Sequence, residues 1–403
     1  MYVDFSKIRA KETFSSLSVK LNIIDDVFES TEDYSKILYT GHTGCGKSTE
    51  LVMLHHYLNH KDRFFSIYID VNESLQMSSF EPEDLFILFI TKLIEALKEQ
   101  NVSFSLSGLK ELADAWIAED PEIVQEVENK ESDEEGVQLE AGFKFLSFLS
   151  AKGNLKTAFS YNSRTSTVIR KNVKQNQGNY ITTFNEILYE VKKEIIERGL
   201  GREVIFILDG VEKMRQEKYD TYIQTFFRDA RLIQNLNCNL ICCVPIDSIY
   251  DIHVSALIDG LYQRFILPLI AVDDNSRDLF RDIIRKRIDT NKFMDEGVLD
   301  YCIDQSGGNP RQLIQIAAEA LSYSQPNNFK VNREIAEKAC KELGYDKRRS
   351  LTSEHFRVLK AKEYFDDADK IIIELLFSLA LLEYNGSTRT RKPNPLLQPF
   401  LNV

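Results

Sequence analysis

One short segment constrains the fold of this 403-residue chain more than any other. Residues 41–48 read GHTGCGKS and fit the pattern GxxxxGK[ST], directly after the apolar run Lys36–Thr40. Apolar residues then recur at helical spacing from Lys47 to Asn59. A strand, a glycine-rich turn and a helix in this order expose successive backbone N–H groups to phosphate oxygens. The sequence therefore predicts an α/β fold built around a phosphate-binding loop.

The loop residues have separate roles in binding a nucleoside triphosphate. Lys47 places a positive charge on the β- and γ-phosphates, and the Ser48 hydroxyl is a ligand for Mg²⁺. We therefore predict ATP and Mg²⁺ as cofactors, although the lack of a guanine-reading NKxD segment does not by itself choose ATP over GTP. The predicted nucleotide-binding residues of the loop are Gly41, His42, Thr43, Gly44, Cys45, Gly46, Lys47, Ser48 and Thr49.

A phosphate-binding loop requires a second element, an apolar strand that ends in a carboxylate. Residues 203–209 read EVIFILD, and we expect Asp209 to hold Mg²⁺ through water from the strand next to the loop strand. No glutamate follows Asp209 directly. The available carboxylate is Glu212, either as the base that polarises the attacking water or as a solvated residue at the start of a helix.

The order of apolar runs predicts an α/β part followed by a helical part. Strand-like and helix-like segments alternate to about residue 272, which is typical of a parallel sheet, and nearly every later segment is periodic as a helix. We expect a lead-in at 1–35, a P-loop NTPase domain at 36–272 with a charged insertion at about 119–179, and an α-helical lid domain at 273–345. Further predicted elements are a fifth strand at Arg264–Ile270 and helices at Tyr219–Gln234 and Asp367–Leu382.

The run Asp-Gly-hydrophobic-acidic at Asp209–Glu212, with the loop ahead of it, resembles the STAND NTPases and the related archaeal-type and origin-recognition-type AAA+ ATPases. The resemblance covers roughly residues 30–325. Residues 306–311 (SGGNPR) look like the start of the lid helix in these families. The resemblance thus implies that Arg311 is the sensor-2 arginine that contacts nucleotide, although the segment is also simply a good helix start.

Two other family residues are less well matched. Arg264 lies where origin-recognition-type members have an arginine finger, which would make it catalytic, and a structural ion pair is the alternative. A sensor-1 polar residue is not evident after the fourth strand, where Asp247 and Ser248 are the candidates.

The resemblance implies a cytoplasmic ATP hydrolase that works as a nucleotide-driven switch in a multi-component complex of bacterial defence or signalling. Because no glutamate follows Asp209, we expect slow turnover. The expected partner is a second copy of the chain or an effector protein. Two alternatives stay open: a DNA-binding loader ATPase of the origin-recognition type, and a nucleotide-binding scaffold with little hydrolysis.

The C-terminal segment 346–403 resembles the winged-helix modules appended to these ATPases. Its helices are followed by the turn signal Asn385-Gly386 and then by Arg389, Arg391 and Lys392. These cations would lie on the wing of such a module, and one interpretation is that they contact DNA. The other reading is a small helical cap for protein contacts, which the acidic residues around 363–374 favour.

Composition bounds the remaining functions. The formal net charge of -12 argues against a chain built throughout to bind nucleic acid. A basic segment at 141–185 has interleaved aromatic residues, so it either contacts nucleic acid or docks on the acidic stretch at 119–135 or on a partner subunit. Cys238, Cys242 and Cys243 are typical of a buried strand. No secretory signal or membrane-length apolar run is evident, so we expect a cytoplasmic protein without membrane contact.

Overall fold

The structure is a computed structural model, and it describes residues 34–59, 64–102, 164–228, 230–250, 254, 257–258, 261–325, 328–365, 369–384 and 390–402. The predicted lead-in falls almost wholly outside these residues, and so does most of the charged insertion. The same holds for the acidic stretch at 119–135 and for five aromatic residues of the basic segment, Phe143, Phe145, Phe148, Phe159 and Tyr161.

A five-stranded parallel sheet forms the centre of the α/β part. The strands are β1 (Lys36–Gly41), β2 (Phe64–Asp70), β3 (Glu203–Asp209), β4 (Asn239–Cys243) and β5 (Gln263–Leu267). Their order across the sheet is β2-β3-β4-β1-β5, with every neighbouring pair parallel. The strands are apolar along most of their length because helices cover both faces of such a sheet. The predicted fold class is thus confirmed.

The strand order corrects one prediction. We expected Asp209 on the strand next to the loop strand, but β4 lies between β1 and β3, pairing Tyr39 with Cys243 on one side and Leu208 with Cys242 on the other. The apolar patterns of the strands are alike and do not encode which strands pair. The carboxylate at the end of β3 therefore reaches the loop across the end of β4.

Helices of the α/β part pack on both faces of the sheet. They are α1 (Lys47–Asn59), α2 (Val71–Ser74), α3 (Pro82–Glu99), α4 (Arg164–Gln175), α5 (Gln177–Glu197), α6 (Val211–Glu217), α7 (Tyr219–Ile223), α8 (Arg231–Gln234) and α9 (Asp247–Tyr250). A π-helical turn at Gln224–Arg228 interrupts the helix that we predicted at Tyr219–Gln234. There the Tyr262 hydroxyl donates to the Phe226 carbonyl oxygen at 2.7 Å, a bond that a sequence pattern does not reveal.

The helical part follows β5. Its helices are α10 (Arg277–Arg285), α11 (Thr290–Phe293), α12 (Val298–Ser306), α13 (Pro310–Tyr323), α14 (Arg333–Arg349), α15 (Ser353–Ala361), α16 (Lys370–Phe377) and α17 (Gln398–Leu401). The fifth strand ends earlier than predicted because Pro268 has no N–H to continue the ladder. Among the described residues, no helix combines the length and the apolar character that a membrane span needs.

The C-terminal segment contains a strand that the sequence pattern misassigned. The predicted helix Asp367–Leu382 ends at Phe377, Leu379 adopts a left-handed φ of 60°, and β6 (Leu381–Tyr384) begins. A short apolar run is ambiguous between helix and strand, and pairing with a distant segment decides it. Here β6 pairs antiparallel with β7 (Thr390–Pro393), which gives the hairpin expected around Asn385-Gly386, although the turn itself lies outside the described residues.

The C-terminal hairpin shares its core with the α/β part. Leu382 and Tyr384 of β6 pack in the same cluster as Tyr39, Leu51 and Leu267, directly beneath the loop. Leu381 packs with Ile246 and Tyr250. The predicted domain boundaries stay a prediction, but the tail is packed against the nucleotide-loop region in this structure.

A buried ion pair ties the basic segment to α3. Arg170 Nη2 lies 2.6 Å from Asp84 Oδ2, and their side chains are 19% and 1% exposed. Arg170 also donates to the Ser79 carbonyl oxygen at 2.8 Å. Arg170 is thus engaged within the fold, whereas Lys171 and Lys174 of the same helix face solvent.

We expect Arg170→Ala to lower the free energy of unfolding by about 3 kcal/mol, because it leaves the Asp84 carboxylate buried without its cation. Urea denaturation followed by circular dichroism measures the change. The matched control is Arg349→Ala, whose pair with Asp346 is 78% and 63% exposed, and we expect no measurable effect there. Equal stabilities of the two variants would contradict a structural role for the buried pair.

Candidate nucleotide-binding site

The loop between β1 and α1 has the backbone geometry of a phosphate cradle. Gly44 and Gly46 have φ values of 80° and 103°, which side chains of other residues rarely allow. A Cβ at Gly41 would approach the Leu267 carbonyl oxygen to 2.6 Å, so β5 also requires glycine there. The Cys45 N–H donates to the His42 carbonyl oxygen at 3.2 Å, which closes the turn. The fit to the glycine pattern is therefore a steric requirement.

Lys47 lies inside this turn. Its Nζ donates to the carbonyl oxygens of Gly41 and His42 at 3.0 and 3.2 Å, so the amine is held within the loop. Burial alone would lower the pKa of Lys47, but the nearby thiols of Cys45 and Cys243 and then the carboxylates of Glu212 and Asp209 raise that pKa above its usual value. The amine is therefore charged at neutral pH.

The other loop side chains divide by exposure. Ser48 and Thr43 are exposed, so the Ser48 hydroxyl is available to a metal ion. Cys45 and His42 are buried, at 0% and 1% exposure, and point into the protein. From these two residues, only the backbone can face a nucleotide.

Asp209 ends β3 on the same edge of the sheet as the loop. Its Oδ2 accepts a hydrogen bond from the Tyr68 hydroxyl at 2.8 Å, and its Oδ1 accepts from the Gly210 N–H at 2.9 Å. Burial and the Asp209 charge raise the pKa of Tyr68, so the phenol stays a donor. Sequence reasoning missed Tyr68, because only the pairing of β2 with β3 brings it beside Asp209.

Glu212 lies in the first turn of α6, close to Asp209. One carboxylate oxygen, Oε2, is buried and has no hydrogen-bond partner among the described residues. Burial raises the pKa of Glu212, and the Lys47 charge opposes that shift. The sequence left two interpretations of Glu212, a base that polarises water and a solvated residue at a helix start. The buried carboxylate oxygen is unlike that of a solvated residue.

Cys243 completes a cluster at the end of β4. One ligand atom each from Asp209, Glu212 and Cys243 lie within 4.8 Å of one another. The thiol is fully buried, and burial raises its pKa well above the usual value. Cys243 lies in a buried strand, as predicted from the sequence, but its position beside the carboxylates was not predicted. Ser248, a sensor-1 candidate, instead lies 2.7 Å from the Tyr222 hydroxyl, and Asp247 is buried in the same short helix.

The residues present fit a magnesium ion. Mg²⁺ prefers oxygen ligands and keeps several waters, and the candidates here are the exposed Ser48 hydroxyl and the Asp209 carboxylate. Glu212, whose buried Oε2 has no hydrogen-bond partner among the described residues, belongs to the same cluster, and a water molecule there would satisfy that oxygen.

The start of α13 touches the loop directly. Asn309 Nδ2 donates to the Thr43 carbonyl oxygen at 2.9 Å, while Asn309 Oδ1 caps the helix by accepting from the Gln312 N–H. The Arg311 N–H lies 3.4 Å from the Gly44 carbonyl oxygen. A Cβ on Gly44 would lie 2.5 Å from the Arg311 Cβ. The structure thus brings Arg311 to the loop, and it adds Asn309, which sequence reasoning had considered only as a helix start.

Arg264 does not join this cluster. It lies within β5 rather than before it, opposite Leu38, whereas Leu267 is the residue of β5 that opposes Gly41 at the loop. At about 3.3 Å per residue, Arg264 is about 10 Å farther back along the strand. Within one chain Arg264 is therefore remote from the loop, and a finger role would need a neighbouring chain.

The prediction that the cations of the C-terminal hairpin lie exposed on a wing is wrong for one of them. Arg391, which we placed on the wing for a DNA contact, is buried, with its Nη2 2.9 Å from Glu383 Oε2 and side-chain exposures of 3% and 5%. The sequence shows a cation near a turn but not the acid on the facing strand that it pairs with. Lys392 is exposed, and Arg389 lies outside the described residues.

A glycine-rich loop that joins a central strand of a parallel sheet to a helix, with a lysine inside it and a carboxylate at the end of a nearby strand, defines a P-loop α/β fold. No protein-family model matches the sequence, and no curated protein matches it.

Three solved structures are similar over nearly the whole chain. Cdc6p from Pyrobaculum aerophilum is 14% identical, with a TM-score of 0.37 over 100% of this chain and 94% of that one. The Aeropyrum pernix Orc1 protein in complex with DNA is 12% identical, with a TM-score of 0.38 over 99% of this chain and 92% of that one. A Walker-type ATPase of Pyrococcus abyssi is 15% identical, with a TM-score of 0.38 over 96% of this chain and 95% of that one. These TM-scores are too low to carry an argument about activity or partners.

Proposed function

We propose that the protein binds ATP with Mg²⁺ at residues 41–49 and hydrolyses it slowly, as a nucleotide-driven switch of the AAA+/STAND type. The observation that carries this proposal is the convergence of Lys47, Asp209 and Glu212 around a loop that the start of α13 contacts directly. A mere glycine turn would need neither a charged lysine in its centre nor two carboxylates facing it.

The chain's groups divide the work of binding and hydrolysis. Backbone N–H groups of the loop and the Lys47 amine bind the β- and γ-phosphates, and the Ser48 hydroxyl and Asp209 hold Mg²⁺. When bound, the metal ion neutralises charge on the phosphate oxygens. Tyr68 fixes one oxygen of Asp209 and keeps the carboxylate oriented. Glu212 orients the attacking water and accepts its proton, for which a raised pKa suits it at neutral pH.

The switch would work through the contact between the helical part and the loop. Asn309 and Arg311 contact the carbonyl oxygens of Thr43 and Gly44 in the loop. A γ-phosphate would add an anion beside the exposed Arg311 side chain and draw α13 towards the nucleotide. Loss of the γ-phosphate on hydrolysis would remove that attraction. A second copy of the chain or an effector protein would then bind according to the position of α13.

A direct test compares the turnover of the unmutated chain with that of Asp209→Asn and Glu212→Gln. The proposal expects a measurable phosphate release that both substitutions lower. If the chain binds ATP but neither substitution changes phosphate release from background, the scaffold alternative replaces the enzyme.

A DNA-loading ATPase is a second proposal, and the exposed Lys392 on β7 is the observation in its favour. Phosphate contacts make DNA affinity fall steeply with salt. Fluorescence anisotropy with a labelled duplex at two salt concentrations, on the unmutated chain and on Lys392→Ala, tests it. Salt-dependent binding that Lys392→Ala weakens would support the loader, and absent or salt-insensitive binding would remove it.

A further inference from the structure

The C-terminal hairpin reaches the phosphate-binding loop itself. His42, the second residue of the loop motif, accepts a hydrogen bond at Nε2 from the Glu383 N–H at 2.8 Å, across 341 positions of sequence. Burial, and next the Lys47 charge, lower the pKa of His42 to about 3. The ring is therefore neutral at physiological pH and remains an acceptor for the backbone of β6.

The Glu383 side chain fixes this strand from two further directions. Its Oε1 accepts from the Tyr250 hydroxyl at 2.7 Å, and Tyr250 ends the short helix α9 that follows β4. Its Oε2 accepts from Arg391 on β7. All three residues are buried. A buried ion pair with a third partner specifies one geometry more than it adds stability, so Glu383 sets where β6 lies relative to the loop.

The same strand also contacts the segment that holds the other flank of the loop. The Tyr384 hydroxyl donates to the Gly307 carbonyl oxygen at 2.7 Å, two residues before Asn309. A Cβ on Gly307 would lie 2.5 Å from Leu382 Cδ1, so the packing there is close. Two adjacent residues of β6 thus contact two segments at the loop. Glu383 bonds His42 directly, and Tyr384 bonds Gly307, which lies close in sequence to the residue that bonds Thr43, Asn309.

We infer that Glu383 is a positioning residue for the phosphate-binding loop, acting through His42, and that the C-terminal hairpin and the nucleotide site are energetically coupled. This inference rests on the proposed function. With β6 docked, the loop is held ready for phosphates. A partner that displaces the hairpin would weaken nucleotide binding, and by linkage bound nucleotide would hold the hairpin more firmly in place.

The test is hydrogen exchange of the hairpin amides, Glu383 above all, in the unmutated chain with and without Mg-ATP. We expect ATP to slow exchange at Glu383 and its neighbours on β6. His42→Phe removes the acceptor while keeping a ring, and Glu383→Gln weakens the ion pair. Each should lower ATP affinity about 5- to 10-fold, as expected for one buried hydrogen bond, and His42→Phe should abolish the ATP-dependent change at β6.

The matched control is His55→Phe, a histidine on α1 whose ring nitrogen pairs with Ser66 and not with the tail; it should leave both readouts unchanged. If the chain binds ATP but exchange at β6 is the same with and without it, the inference fails while the proposed function stands. If the chain binds no ATP, the proposed function fails first. Should a variant not fold, the exchange measurement on the unmutated chain alone still decides.

Discussion

Replacing Lys47 with methionine should weaken ATP binding about a hundredfold. The substitution keeps the length of the side chain but removes the only charge held inside the loop, where the amine bonds the carbonyl oxygens of Gly41 and His42. Charge-assisted contacts with phosphate contribute about 3 kcal/mol, and each 1.4 kcal/mol is about tenfold in affinity. Titration calorimetry with ATP and Mg²⁺ measures the difference.

The chain offers a matched control for this substitution at the other end of the same strand. Lys36 is also buried, and its Nζ donates to the carbonyl oxygens of Leu236 and Cys238, far from the loop. We expect Lys36→Met to lower stability and to leave ATP affinity unchanged. Equal losses of affinity in both variants would mean that Lys47 supports the fold rather than the phosphates.

Replacing Glu212 with glutamine should lower kcat at least a hundredfold and leave ATP affinity within a few-fold of the unmutated value, as expected when a general base is removed. The amide keeps the shape of the side chain but cannot accept a proton from water. Phosphate release in single-turnover experiments measures the rate, and ATP titration confirms that binding persists.

The pH dependence gives an independent check on Glu212. The carboxylate must be deprotonated to act as a base, and burial raises its pKa above that of an ordinary glutamate. Turnover should therefore fall as the pH drops through this raised pKa, earlier than for an exposed carboxylate, and the acid limb should be absent from the residual activity of Glu212→Gln. An unchanged acid limb in the variant would assign it to another group.

Local sequence patterns predicted the parts of the candidate site that are built from residues close together in the sequence. The glycines, Lys47 and Ser48 follow from eight consecutive positions, because a phosphate cradle is built from successive backbone N–H groups. Asp209 follows from the apolar strand before it. The family resemblance, rather than a local pattern, implied that Arg311 contacts nucleotide, and the structure brings Arg311 to Gly44.

The parts that were missed depend on pairings between distant segments. The insertion of β4 between β1 and β3 puts Cys243 beside the carboxylates, and the pairing of β2 with β3 puts Tyr68 on Asp209. The contact of Glu383 with His42 spans nearly the whole chain. Arg391 was misread for the same reason, since its buried partner lies on the other strand of the hairpin. No local periodicity encodes such neighbours.

We expect residues 41–49 to bind the phosphates of a nucleotide with the help of a divalent cation. Titration calorimetry of the unmutated chain with ATP, first with Mg²⁺ and then with a chelator, tests it most directly. We expect one nucleotide per chain with Mg²⁺, and binding at least tenfold weaker with the chelator, because Ser48 and Asp209 can then no longer act through the metal. Binding that is absent, or that Lys47→Met leaves unchanged, would contradict the claim.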